Sequence, residues 1–196
     1  MVIGLAVVAA ISLALRIGGE ILGARSAGTT TTAMAGTIET CIIPGGDCVP
    51  AVVRAIEGAT GRVWVLGYGF TEPAIANALI AASRRKGADG KRIDVRVVLD
   101  QSNQKEPYSL ATNVRQAGIV TLIDSSVKIM HHKVVVIGDD TVLLGSMNWT
   151  KASRHNAENM NIIRGNRALT ATYAAVFQDR AAHAVPFVCP ATVRCS

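Results

Sequence analysis

The sequence has few aromatic side chains, few charges and no metal-binding pattern. Aromatic residues make up 4% of the 196 residues and charged residues 17%. Such a scarcity of aromatics predicts that any nucleic acid would be bound with little base stacking and weak sequence preference. The cysteines form no C-x-x-C pair and no nearby histidine completes a zinc pattern, which excludes the common zinc modules. The chain also has no internal repeat.

Apolar and basic residues are the abundant classes. Hydrophobic residues make up 49% of the chain, which is enough for the core of one domain at this length. Lys and Arg outnumber Asp and Glu by 20 to 14, for a formal net charge of +6. This surplus suits a polyanionic partner, either nucleic acid or an acidic lipid surface.

The first 15 residues are apolar and carry no charge before Arg16. As a helix, this segment would span roughly 22 Å, which is short of the ~30 Å core of a bilayer. It predicts a secretory signal or a short membrane anchor, so we expect an N-terminal segment 1–36 followed by a folded domain 37–196. The protein would then be exported, periplasmic or membrane-anchored. The alternative is a cytoplasmic protein whose start is mis-assigned.

The four cysteines lie in two close pairs, Cys41 with Cys48 and Cys189 with Cys195. Together with an export signal, this spacing favours disulfides. Four cysteines allow three pairings, so the sequence leaves the connectivity open. Free buried thiols in a cytosolic protein are the alternative interpretation.

Predicted strands and helices alternate from Thr37 to the end of the domain. Short β-branched, apolar runs predict strands, and apolar positions at helical spacing predict helices. Strands are expected at Thr37–Ile43, Arg62–Phe70, Ile93–Leu99, Ile119–Ile123, Lys128–Ile137, Thr141–Leu144 and Ala157–Ile163. Helices are expected at Pro50–Thr60, after a cap at Thr71, near Pro107–Gln116 and at Leu169–Ala182. The alternation predicts an α/β fold, an α/β/α sandwich with a mixed β-sheet.

Polar residues suited to catalysis are concentrated on two adjacent predicted strands. On a strand, His131 and Lys133 point to the same face. A strand-turn-strand connection places Ser146 and Asn148 beside them. An imidazole, an ammonium, a hydroxyl and an amide together suit an anionic tetrahedral centre, with a nucleophile for phosphorus and donors for its oxygens. Each residue alone has an ordinary structural explanation, but the joint pattern indicates function.

Two other charged features accompany these strands. Glu158 lies on another predicted strand, where its carboxylate could fix a histidine tautomer. Arg84, Arg85 and Lys86 crowd the end of a predicted helix. They are either a binding surface for nucleic acid or a solvated helix end.

The stretch HHKVVVIGDDTVLLGSMNWT resembles the H-x-K-x4-D-x6-G-S-x-N motif of the phospholipase D superfamily, specifically its single-motif bacterial endonucleases. Tyr68-Gly69-Phe70-Thr71 and Glu158-Asn159 add to the resemblance, which covers most of the chain. It implies an α/β/α sandwich and a homodimer with one shared active site. It also implies cleavage of phosphodiester bonds without a metal or another cofactor.

The resemblance also implies a role for each motif residue. His131 would be the nucleophile of a phosphohistidine intermediate, and Glu158 would support a histidine. The phosphate would be bound by Lys133, Ser146 and Asn148. In place of the motif's aspartate the chain has Gly138, followed by Asp139 and Asp140. Either neighbour could replace this acid, whose task in the family is to tie the turn to its surroundings.

The motif indicates the class of reaction but leaves the substrate open. DNA is the expected substrate, with RNA as a further one, because the motif is single and the chain is basic. A phospholipase D acting on anionic phospholipid is the alternative, favoured by the apolar N-terminus. A membrane-tethered nucleic-acid-binding protein with weak catalysis is another, because of Gly138 at the motif position.

Overall fold

An eight-stranded mixed sheet forms the centre of the fold. The computed structural model describes residues 36–191, which belong to one compact unit of the chain. The strands are β1 (Thr37–Ile43), β2 (Val63–Gly67), β3 (Val95–Asp100), β4 (Val120–Asp124), β5 (Lys133–Ile137), β6 (Thr141–Gly145), β7 (Glu158–Arg164) and β8 (Val185–Pro186). Their order in the sheet is β1-β7-β6-β5-β2-β3-β4-β8. β2, β3 and β4 are parallel, and the other pairs are antiparallel.

The helices cover both faces of this sheet. They are α1 (Val49–Glu57), α2 (Pro73–Arg84), α3 (Ala111–Gln116) and α4 (Arg167–His183). Val52, Ile75 and Val114, from the first three helices, are fully buried in one core cluster. On the other face, Phe177 of α4 stacks on Trp64 with ring centroids 4.9 Å apart. Two apolar cores on opposite faces make this the α/β/α sandwich that the sequence predicts.

Some element boundaries differ from the sequence-based expectation. β5 begins at Lys133 rather than at residue 128, because the Met130 N–H donates to the carboxylate of Asp100 (2.8 Å) and not to a neighbouring strand. His131 therefore lies in the segment before the strand. The cap of α2 is Glu72 instead of Thr71, since the Glu72 carboxylate accepts an amide N–H of the first turn. β8 was not expected.

A disulfide joins Cys41 and Cys48, linking the end of β1 to the start of α1. The expectation of a disulfide is met for these two cysteines, a pairing that the sequence left open, and Cys189 is not a free thiol. Cys195 and the expected N-terminal anchor at residues 1–15 lie outside the described residues. Between residues 36 and 191, no helix has the length and apolar character needed to cross a membrane.

Strand direction brings several chain segments to one edge of the sheet. β2 and β3 end at this edge, which we call the carboxyl edge, and β5 begins there, with Gly67 opposite Lys133. β6 ends and β7 begins at the same edge, because Val134 pairs with Leu144 and Gly145 pairs with Met160. The crevice outside the carboxyl ends of parallel strands is the usual ligand site of α/β sheets.

Candidate active site

His131 and Lys133 lie together at the carboxyl edge, in the middle of the sheet. The Lys133 side chain is buried, and its Nζ donates to the carbonyl oxygen of His131 (3.0 Å). Burial lowers the pKa of Lys133, and the Glu158 carboxylate opposes this shift. His131 itself is exposed. The site therefore has an accessible imidazole beside a buried ammonium.

Tyr68, the first residue after β2, forms a wall of this site. Its ring meets the His131 ring in a T-shaped contact with centroids 4.8 Å apart. The Lys133 Nζ lies 5.4 Å from the centre of the same ring, within range of a cation–π attraction. The Tyr68 carbonyl accepts a hydrogen bond from Nδ2 of the buried Asn103 (2.5 Å). The fold thus holds Tyr68 against both motif residues, a position that the sequence pattern did not reveal.

Ser146, in the turn after β6, is hydrogen-bonded to Glu158 at the start of β7. Its hydroxyl donates to Glu158 Oε2 (2.5 Å) and accepts from the Asn159 N–H (3.0 Å). Gly145 permits this approach, since a Cβ at that position would lie 2.1 Å from the Asn159 carbonyl oxygen. The other Glu158 oxygen accepts from Asn156 (3.2 Å). Glu158 therefore contacts a serine and an asparagine, and its expected contact with a histidine is not seen within one described chain.

Asn148 is half-buried and is anchored by its neighbour in sequence. Trp149 is fully buried, and its indole N–H donates to the Leu66 carbonyl (2.9 Å). The Trp149 carbonyl accepts from the amides of Thr71 and Glu72 (2.8 and 2.9 Å). The Asn148 Oδ1 is buried, yet it has no hydrogen-bond partner in the described part of the chain. Such an atom costs about 1–3 kcal/mol, a penalty that a bound ligand or a second chain could remove.

Two buried carboxylates hold the loops around the site. Asp100 accepts from the amides of Met130 (2.8 Å) and Ser102 (2.9 Å). Glu72 forms a two-pronged ion pair with Arg154, with nitrogen–oxygen distances of 2.9 and 3.1 Å. The hydrogen bonds from Arg154 lower the pKa of Glu72. Sequence reasoning missed both anchors, although an aspartate that closes a predicted strand was a usable signal for Asp100.

The turn between β5 and β6 is tied down by Arg62. Its guanidinium donates to the Gly138 carbonyl (2.9 Å) and pairs with the Asp139 carboxylate (2.9 Å). Gly138 has a positive φ of 54°, which favours glycine. Asp139 therefore supplies the contact that the resemblance assigns to an aspartate at position 138.

The structure does not bring Arg84, Arg85 and Lys86 to the site. α2 begins near the carboxyl edge and runs for 12 residues, so its end lies roughly 17 Å away. The Arg85 guanidinium also donates to the carbonyls of Ile56 and Glu57, which it holds in place. Helix direction thus separates these three residues from His131 within one chain, and their contact with a substrate stays a prediction.

Other lysines surround the site instead. Lys105 follows a short 3-10 helix after β3, Lys128 precedes His131, and Lys151 follows the motif. All three are exposed, and none has an ion pair among residues 36–191. Each follows a strand that ends at the carboxyl edge. The three lysines are isolated in the sequence, so no run of charged residues predicted them.

The assembled groups fit a phosphate better than a metal. An exposed imidazole can attack phosphorus, while an ammonium, a hydroxyl and an amide can hold its oxygens. No cluster of three or more His, Cys, Asp or Glu side chains suited to a metal ion occurs between residues 36 and 191.

The chain is similar in sequence to one known protein family. The family model "Cardiolipin synthase, PLD-like domain" matches residues 52–181. A "Phospholipase D" of Rickettsia prowazekii is 35% identical over 137 residues, 69% of this chain and 63% of that protein. A "Mitochondrial cardiolipin hydrolase" of Xenopus laevis is 32% identical over 140 residues, 70% of this chain and 63% of that protein. The chain thus spans 63% of the length of each of these relatives.

Among solved structures, the phospholipase D family member Nuc from Salmonella typhimurium has a TM-score of 0.71 and 28% identity. The match covers 79% of this chain and 100% of that chain. The family match extends over more than half of the present sequence and includes the whole motif from His131 to Asn148. The chain therefore belongs to the phospholipase D superfamily of phosphodiesterases.

Proposed function

We propose that the chain is a sequence-nonspecific endonuclease that cleaves DNA, and also RNA, through a phosphohistidine on His131 without a metal ion. The observation that carries this proposal is the distribution of lysines. Lys133 lies within the site, and Lys105, Lys128 and Lys151 are exposed around it. A nucleic-acid strand gains attraction at each phosphate that meets a cation, so the carboxyl edge suits a polyanionic chain.

The motif groups divide the work of an attack on phosphorus. A nitrogen of His131 forms a bond to phosphorus while the bond from phosphorus to the leaving oxygen breaks, and a second imidazole protonates that oxygen. Water, deprotonated by the same second imidazole, then attacks phosphorus and releases His131. Lys133 and Asn148 hold the non-bridging oxygens throughout. Ser146 donates to Glu158, so a bound phosphate must compete for that proton.

We propose that the second imidazole is the same histidine of a second copy. The chain has four histidines. In the described chain, His132, His155 and His183 form no hydrogen bond or ion pair with a motif side chain, and His183 is bound to Asp179 instead. A two-fold axis beside the exposed His131 would supply the missing group. It could also bring a partner to the unsatisfied Asn148 oxygen.

Subunit mixing tests the shared site. After exchange with a ninefold excess of His131→Ala, about 1% of dimers would hold two histidines, although about 10% of chains are wild type. Activity should therefore fall about tenfold below simple dilution. An excess of Arg167→Gln, which changes an exposed residue at the opposite edge of the sheet, is the matched control and should not suppress activity. Activity that follows the number of wild-type chains would refute the shared site.

Plasmid nicking in excess EDTA tests the metal-independent mechanism. Lys133 and the neighbouring donors take the electrostatic role of a cation, so nicking should persist. His131→Ala should abolish it, and Arg167→Gln should leave it unchanged. Loss of nicking in EDTA with recovery on adding Mg²⁺ would contradict the proposal.

A phospholipase D acting on anionic lipid is the second candidate. The names of the Rickettsia and Xenopus relatives support it, as does the apolar stretch at residues 1–15. Head-group release from phosphatidylglycerol vesicles and plasmid nicking, measured on one preparation, separate the two activities. Lipid turnover without nicking would favour the phospholipase. Binding of nucleic acid with neither nicking nor lipid turnover would instead indicate a nucleic-acid-binding protein.

We also propose that the protein acts outside the cytosol, either released or tethered through residues 1–15. The Cys41–Cys48 disulfide supports this proposal, because such bonds persist in oxidising compartments. Cell fractionation tests it. Recovery of the protein from the cytosol with four alkylatable thiols would contradict it.

A further inference from the structure

Tyr108 differs from the other aromatic residues of the chain. The sequence has two Trp, three Tyr and three Phe, and all eight lie within the described residues. Seven are buried or half-buried, whereas Tyr108 is 78% exposed. The Glu106 carboxylate accepts the Tyr108 N–H (3.3 Å), which helps to hold this tyrosine in place. An exposed aromatic residue on its own needs no explanation, so its surroundings decide what it means.

Tyr108 lines an open cleft of about 520 Å³ at the carboxyl edge. Apolar and polar groups alternate along its wall, contributed by Thr71, Pro73, Glu106, Pro107, Tyr108, Ser109, Leu110, Asn113, Lys151 and Ala152. Lys105 and Lys151, both exposed, lie at or beside this wall. The volume is in the range of ordinary small-molecule sites.

Two hydrogen bonds and one ring contact connect this cleft to His131. Ser109, next to Tyr108, donates to the buried Asn103 (2.9 Å), and Asn103 donates to the Tyr68 carbonyl (2.5 Å). The Tyr68 ring contacts His131. Lys151 is three residues from Asn148, so the cleft begins within about 10 Å of the phosphate-binding groups along the chain. A substrate bound at His131 would thus extend naturally towards Tyr108.

We propose that this cleft is a subsite for one unpaired nucleotide, whose base stacks on Tyr108 and whose phosphate is attracted by Lys151. The inference rests on the proposed nuclease function and makes single-stranded nucleic acid the preferred substrate. A base has flat apolar faces and polar edges, which match a wall where Tyr108 and Leu110 lie with the exposed side chains of Asn113 and Lys151. An acyl chain would cover the Asn113 amide and the Lys151 ammonium without offering either of them a hydrogen bond.

The test compares a short single-stranded oligonucleotide with the small diester bis(p-nitrophenyl) phosphate. Tyr108→Ala should lower the ratio of kcat/KM for the oligonucleotide over that for the diester by about 5- to 100-fold, the range expected for one stacked base. Tyr108→Phe should keep most of the ratio, because stacking needs the ring and not the hydroxyl. Lys151→Gln should weaken oligonucleotide binding and its salt dependence, whereas Arg167→Gln, at the opposite edge of the sheet, should change neither.

The outcomes separate this inference from the proposed function. An unchanged ratio in Tyr108→Ala, with the oligonucleotide still cleaved, would overturn the subsite alone. If the protein cleaved the diester but no nucleic acid, the proposed function would be overturned. The subsite would then be tested by the fluorescence anisotropy of an oligonucleotide bound to the His131→Ala protein. Adding Tyr108→Ala should weaken this binding if the subsite exists, and unchanged binding would refute it. A loss in Tyr108→Ala confined to turnover of phosphatidylglycerol vesicles would assign the cleft to an acyl chain and refute the base.

Discussion

Replacing Asp100 by Asn tests whether one buried carboxylate positions His131, the proposed nucleophile. Asp100 is 3% exposed and accepts the amide protons of Met130 (2.8 Å) and Ser102 (2.9 Å). A hydrogen bond to a charged group contributes about 1.5–3 kcal/mol. The two amides donate to different oxygens of the Asp100 carboxylate, so in Asn one of them would face the NH2 group, which cannot accept. We therefore expect a loss of about 2–3 kcal/mol in the free energy of unfolding.

The same change should lower activity, because Met130 immediately precedes His131. A displacement of about 1 Å at a reacting group can cost roughly 100-fold in rate, so kcat on the small diester should fall at least tenfold.

Urea unfolding and thermal melting measure the stability effect, with an expected drop in Tm of about 5–10 °C. Asp140→Asn is the matched control. Its exposed carboxylate bonds only to its neighbour Thr141, so its stability should stay within about 0.5 kcal/mol of wild type. A stable Asp100→Asn protein would refute the anchoring role. A destabilised protein with normal kcat would refute the link to His131.

Three further predictions concern the motif turn, the buried lysine and the disulfide. Gly138→Asp should lower the free energy of unfolding, measured in urea, by about 1 kcal/mol, because φ is +54° and Asp139 already pairs with Arg62. A higher free energy of unfolding would show that the role of the motif aspartate is not filled by Asp139. Since burial lowers the pKa of Lys133, kcat/KM should decline with an alkaline pKa below 10.5 as the ammonium loses its proton; a decline only above 10.5 would contradict this. Replacing both residues of the Cys41–Cys48 disulfide by Ala should lower the free energy of unfolding by about 2.5 kcal/mol, the value expected for so short a loop. The Tm should fall accordingly, and an unchanged Tm would contradict a stabilising role of the disulfide.

The motif was readable from the sequence because its parts are joined by one tight turn. β5 and β6 pair as a hairpin, with Val134 opposite Leu144, so residues just outside the pair must lie close together. The sequence pattern predicted the start of β5 too early, at Lys128 instead of Lys133. In the segment before β5, the Met130 N–H donates to the Asp100 side chain and not to a neighbouring strand. Periodicity cannot distinguish a strand from a segment held in this way.

Contacts of charged groups were less predictable. Within one chain, the register of β6 with β7, which pairs Gly145 with Met160, places Glu158 at Ser146. Its expected contact with a histidine stays a prediction. The run Arg84–Lys86 drew attention because its charges are adjacent in sequence, yet α2 carries it away from the site.

Local sequence patterns predict most of the strands and helices and the residue types of the motif, because hydrophobic periodicity reflects local structure and a hairpin brings its two strands together. The surroundings of the motif, in contrast, depend on the tertiary structure. The pairing of β2 with β5 placed Tyr68 beside His131, and the parallel strands β2 and β3 brought Lys105 and Tyr108 to the same edge. These neighbours are far apart in the chain, and strand order depends on long-range packing that no local pattern encodes.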